Sequence, residues 1–187
     1  MIISEIYSKI ASHLIKGLMV HSQLSSYYIF IGLTGYSKFH QYQYLEESAN
    51  YSRLLKYYGE HHNMLISNST FSAPEIIPPD WTNKLRTDVS PKDLPKLTSY
   101  AQNRWVLWER HTKELLQQSY KDLISSGEIA SAEFIVDYIK GVDKELSYAE
   151  SEMLLLESTG YDMSYIADVQ NDLFEKYSKK KVRVGDE

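Results

Sequence analysis

The chain has 187 residues, 43% hydrophobic and 24% charged, which suits a single domain with a substantial core. A net charge of -5 argues against a nucleic-acid partner. The absence of cysteine excludes a disulfide framework, thiolate metal sites and a cysteine nucleophile, and fits a reducing, cytoplasmic setting.

The opening MIISEIYSKIASHLIKGLMV is broken by Glu5, Lys9 and Lys16 before a signal-peptide apolar core develops. No run reaches the roughly 18 apolar residues of a membrane span, so no membrane association is expected. From about Ser4 to Leu33, apolar residues recur at Ile6, Ile10, Leu14, Gly17, Leu24, Tyr28 and Ile31, the spacing of a helix seam in which His21 takes the missing place. Glycines 32 and 35 supply a stop, and Ser37 is placed to cap a second helix over about Lys38 to Ile66. At about 100° per residue, Tyr44, Ser48, Tyr51, Leu55, Tyr58 and Leu65 form one stripe of that helix, with Leu54 beside it. Glu47 falls inside the arc, whereas Glu46, Arg53, Lys56 and Glu60 point to the opposite, solvated face. A lone carboxylate on a core-facing stripe must be neutralised, paired or bound to a metal.

Between Ser67 and Pro95 helical periodicity stops, and all five prolines lie there. Two readings stay open: a disordered linker, or a crossover lying along a bundle through Phe71, Ile76, Ile77, Trp81 and Leu85. A third helix is expected over about Lys96 to Ser125, with Leu97, Ala101, Trp105, Trp108, Thr112, Leu116 and Leu123 inward and Glu109 on the flank of that face. A fourth runs from about Glu128 to Ser158, with Glu145 at the edge of its buried arc, and a short fifth from about Asp162 to Tyr177. The organisation is therefore all-α: an up-down four-helix bundle over residues 1–178 with one long crossover at about 67–95, and a polar tail over 179–187. The basic run Lys179, Lys180, Lys181 and Arg183 reads as part of that solvated tail.

At this point the chain resembles the ferritin-like family, specifically a bacterial-type ferritin subunit, over most of its length. EESANYSRLLKYY (Glu46 to Tyr58) is similar to the ferritin second-helix segment, with Asn50 standing where the family has histidine. WERHTKELLQQ resembles the third-helix segment whose glutamate helps hold an iron pair, which maps to Glu109. GYDMSYIADVQNDLFEKY is similar to the region leading through the fifth helix. GYSKFHQYQYLEE also resembles the DNA-protecting mini-ferritins, without their metal-binding signature. The resemblance implies a non-haem iron-binding or storage protein with ferroxidase activity, working as a cage-like homo-oligomer.

The departures point to a divergent diiron site. The first-helix glutamate maps at or beside Ser22, which faces outward; Gly141 and Val142 stand near the fourth-helix ligand; and no Glu-x-x-His pair survives. Iron favours carboxylate oxygen and imidazole nitrogen. His21, Glu47 and Glu109 come from three helices and point inward, with Asn50 and Glu145 as outer partners. The alternatives are a metal-free scaffold in which His21 and Asn50 satisfy Glu47, or a diiron-type enzyme acting on an organic substrate. Glu60, His61 and His62 do not form one chelate, because adjacent helical residues diverge. His13, His40 and His111 are expected singly, at surfaces or interfaces.

Overall fold

The computed structural model describes residues 3–63, 66, 76, 78, 81 and 84–180. Among these are five α-helices: α1 (Ile3–Phe30), α2 (Thr34–His62), α3 (Leu94–Ser125), α4 (Ile129–Ser158) and α5 (Met163–Ser178). The expected starts and ends of the helices lie within a few residues of these, and α2 departs most. It begins at Thr34, so Ser37 is no cap; Ser37 lies inside the helix, with its Oγ 2.9 Å from that of Ser25 on α1.

The α1–α2 turn is tight because Gly32 adopts φ +88°, a left-handed conformation that costs glycine little, and the Leu33 amide donates back to the Tyr28 carbonyl at 2.8 Å. Gly35 meets a different demand. A Cβ there would stand 1.7 Å from the Gln170 carbonyl oxygen, so α5 rests directly on the α2 backbone. Asp162 caps α5, accepting from the Ser164 and Tyr165 amides at 2.9 and 3.2 Å. Tyr177, near the far end of α5, packs edge-on against Phe39 of α2.

Of the crossover residues expected to lie along the bundle, Ile76 is buried, its amide donating to Gln23 Oε1 at 3.1 Å, and Trp81 packs edge-on against Phe30. Leu85 is 68% exposed and contributes nothing to that contact, while Phe71 and Ile77 lie outside the described residues. Leu65 and positions 181–187 of the polar tail also lie outside them.

The core is divided. One apolar cluster gathers Val20, Leu24 and Tyr28 of α1, Tyr36 and Phe39 of α2, Leu97 to Trp108 of α3 and Leu146 to Leu156 of α4, and α5 joins it through Ile166 and Leu173. The other gathers Ile6 to Leu14, Leu54 and Tyr58, Leu116 and Leu123, and Ala132 to Val142. Each long helix therefore contributes one half to each cluster. The pairing of numbers shows α1 antiparallel to both α2 and α3, and α2 parallel to α3, as a full-length crossover requires. Between the clusters the buried side chains turn polar: His21, His40, Gln43, Glu47 and Glu109 are each no more than 6% exposed.

The α2 stripe is also rotated from its expected phase. Tyr36, His40, Gln43, Glu47, Leu54 and Tyr58 are the buried set, while Tyr44 is 41% exposed and Ser48 and Leu55 are only partly covered. Glu47 keeps its core position because it belongs to both phases. Glu46 is not on a fully solvated face; it is partly buried, close to Tyr42 and Lys180.

Candidate metal centre

Four helices feed this polar layer. From α1 comes His21, fully buried, and beside it Gly17, on which the Glu47 carboxyl lies so closely that a Cβ would stand 3.2 Å from Glu47 Cδ. Ser22 is exposed, as expected; the α1 residue that faces Glu47 is Gly17. From α2 come His40, Gln43 and Glu47, from α3 Trp105 and Glu109, and from α4 Glu145.

The two histidines share one hydrogen bond, Nδ1 to Nδ1 at 3.1 Å. One must donate and the other accept, so in either tautomer one ring keeps a bare Nε2 lone pair and the other an Nε2–H. Neither Nε2 has a hydrogen-bond partner among the described residues. His21 Nε2 lies 3.6 Å from Glu109 Oε1, too long for a hydrogen bond. Burial holds both imidazoles below their ordinary pKa, His21 at about 3, so they are neutral.

Glu109 Oε1 accepts from Trp105 Nε1 at 3.0 Å, which fixes the carboxyl against α3; among the described residues its Oε2 has no partner, and neither has Glu47 Oε2. Burial pushes Glu47 and Glu109 well above the usual carboxylate range, and the Glu145 charge raises both further. Glu145 itself is pushed up to about 7 by burial and by Glu46, against a hydrogen bond from Gln43. Asn50 is half-buried; its backbone carbonyl accepts from Tyr138 Oη at 2.9 Å, and the residue lines the cavity that Glu47 and Glu145 share.

The five candidate residues thus fall in one region. Glu145 is near enough to raise the pKa of both Glu47 and Glu109, and Glu47 that of Glu109; His21 approaches Glu109, and Asn50 stands at the cavity wall. Their side chains do not close on one point: among the described residues no three His, Asp or Glu groups meet as a ligand set. The donor chemistry nevertheless fits a cation. Two carboxylate oxygens and two imidazole nitrogens are buried without partners in one layer, and such orphans are costly unless something satisfies them.

His40, Glu152 and His13 were not expected among the buried polar residues. His40 is fully buried rather than solitary at a surface, and it stands seven residues before Glu47 with Gln43 between, a helical spacing visible in the text. Glu152 of α4 is buried and accepts from Tyr36 Oη at 2.8 Å. His13 is also buried, stacked on Trp108 at 4.3 Å with its Nε2 2.7 Å from Thr112 Oγ1. Trp105 and Trp108 are core, as read; His111 is exposed. His61 stacks on Tyr57 while His62 reaches Ser131, so these neighbours diverge as expected.

Two helical hairpins joined by one long crossover, a terminal helix packed alongside and a polar layer between the helices define a ferritin fold. A humanized archaeal ferritin matches at a TM-score of 0.78 and 16% identity, over 96% of this chain and 97% of that one. The Archaeoglobus fulgidus ferritin engineered into a closed form matches at 0.76 and 17%, over 96% of both chains. A PmFTN variant soaked in iron matches at 0.73 and 10%, over 90% of this chain and 96% of that one. No protein-family profile and no curated protein matches the sequence.

Proposed function

We propose that this chain is a ferritin-like subunit that binds non-haem iron at a modified site within the bundle. The observation that carries the reading is the pair of buried carboxyls, Glu47 and Glu109, each with one oxygen lacking a partner among the described residues. A divalent cation between the helices would satisfy both, and it would return Glu47, Glu109 and Glu145 to the ionised state that burial opposes. Iron is the substrate in this reading. Glu47 and Glu109 supply oxygen ligands, His21 supplies Nε2 in the tautomer where its Nδ1–H donates to His40 Nδ1, and Glu145 and Asn50 are outer partners. Fe(II) held there loses an electron to dioxygen or peroxide. Trp105 keeps Glu109 oriented, and the apolar clusters on either side limit water at the layer.

The ligand set is divergent because Gly17 supplies no donor opposite Glu47, and Asn50 binds more weakly than an imidazole. Assembly as a homo-oligomer in the cytoplasm follows the same reading; Ile129 and Leu154, 61% and 65% exposed, are apolar groups available to such contacts. Among the described residues no helix is long and apolar enough to cross a membrane. A second reading, the metal-free scaffold, is favoured by one observation: among the described residues no three ligand groups converge as they stand.

The test is metal analysis of purified protein, with Fe(II) oxidation followed by absorbance, run beside Glu47→Ala and Glu109→Ala. Wild type is expected to bind and oxidise iron and both variants to lose most of each activity. Equal, weak behaviour of all three overturns the iron reading and leaves the scaffold.

A further inference from the structure

A cavity of about 60 Å³ is lined by residues of all four long helices, and its charged lining, on α2 and α4, runs from the buried Glu47 to the exposed Arg53 and Asp137. Its inner wall carries Glu47 and Glu145, and its outer rim carries Arg53 and Asp137. Glu47 is 6% exposed with Oε2 unpartnered, whereas the Arg53 and Asp137 side chains are 49% and 64% exposed. On α4, Asp137, Gly141 and Glu145 succeed one another every fourth residue, so they share one helix face. The cavity is therefore a graded path, from an exposed carboxylate through a partly buried one to a buried one. At Gly141, its midpoint, an added Cβ would meet nothing within 4 Å.

We propose that this cavity is the access route by which a divalent cation reaches Glu47, and that Arg53 gates it. The proposal rests on the reading that Glu47 binds a cation. Space for about two waters is too little for a fully hydrated ion. A cation on this path must exchange water for carboxylate oxygen at Asp137, then Glu145, then Glu47. Arg53 stands at the mouth with its guanidinium 4.6 Å from the Tyr138 ring centroid and 5.2 Å from that of Phe134, and 3.8 Å from Asp137 Oδ2. In that position it both repels a cation and neutralises the first carboxylate. An exposed pair of this length is weak, so the arm can swing aside.

The experiment uses full-length protein and Co(II), whose absorbance reports coordination, with stopped-flow association and release measured beside equilibrium binding. Gly141→Leu places a good helix former in the open space and keeps the fold. It is expected to slow Co(II) association and release alike, by about tenfold or more, with the equilibrium constant and stoichiometry retained. Arg53→Ala is expected to speed association by up to about tenfold at low salt, the gain shrinking as salt rises. Wild-type rates in both variants overturn the route while cation binding stands. Faster release with weaker binding in Gly141→Leu also overturns it, since that marks damage to the site. If wild type shows no Co(II) binding that Glu47→Ala removes, the route and the reading beneath it fall together.

Discussion

Replacing Glu145 by glutamine removes a charge that the metal-free fold holds at a cost. Its pKa rises from 4.5 in the unfolded chain to about 7 in the fold, through burial first and the Glu46 charge second. Across that window the folded protein keeps a proton the unfolded chain has released, so stability is full below 4.5 and falls as pH rises to about 7. At about 1.4 kcal/mol per pKa unit, the ionised carboxylate costs the fold on the order of 3 kcal/mol above the window. Glu145→Gln keeps the size and the Gln43 contact without that cost. Urea denaturation in chelator at a series of pH values checks it. The difference in unfolding free energy, variant minus wild type, should be flat below 4.5, climb between 4.5 and 7, and level off near 3 kcal/mol at about pH 8. The buried histidines contribute equally to both proteins and cancel in the difference. Saturating Co(II) should reverse the order, because only wild type gains the third carboxylate. A pH-independent difference would refute the reasoning, since it would mean that Glu145 titrates alike in both states.

Burial holds the His13 pKa near 3, so the unfolded chain binds its proton first. Stability should fall as pH drops from 6.5 towards 3, and less steeply in His13→Gln, measured by acid denaturation in chelator. Leu54 is fully buried in its cluster, and Leu54→Ala should cost about 2–5 kcal/mol by urea denaturation. Gly35→Ala drives a methyl into the Gln170 carbonyl and should cost about 1–3 kcal/mol or more, with proteolysis within α5 appearing before global unfolding. Tyr36→Phe strips Glu152 of its hydrogen bond and should cost about 1–3 kcal/mol in thermal denaturation.

The helices and the crossover were legible because periodicity, the Gly32 stop and the prolines all act locally. The phase of α2 was harder to read. Tyrosines at 42, 44, 51, 57 and 58 have both apolar faces and polar tips, so several stripes look equally amphipathic. Glu47 was found because it sits inside either stripe. The His21–His40 contact was missed because it depends on the register between α1 and α2, which no single helix encodes. The same register puts Gly17, and not Ser22, opposite Glu47: a glycine on a seam looks like close packing, not like space beside a carboxyl. Glu109 proved more deeply buried than its flank position suggested, because Trp105 draws it inward.

The polar seam at mid-length has a mechanical consequence. Apolar packing above and below it is interrupted by a stratum of buried acids and imidazoles with unmet hydrogen bonds, so each end of the molecule should breathe on its own in amide exchange when no ion is held. A cation seated there would act as a rivet across the four rods, and the opposite ends would then open together.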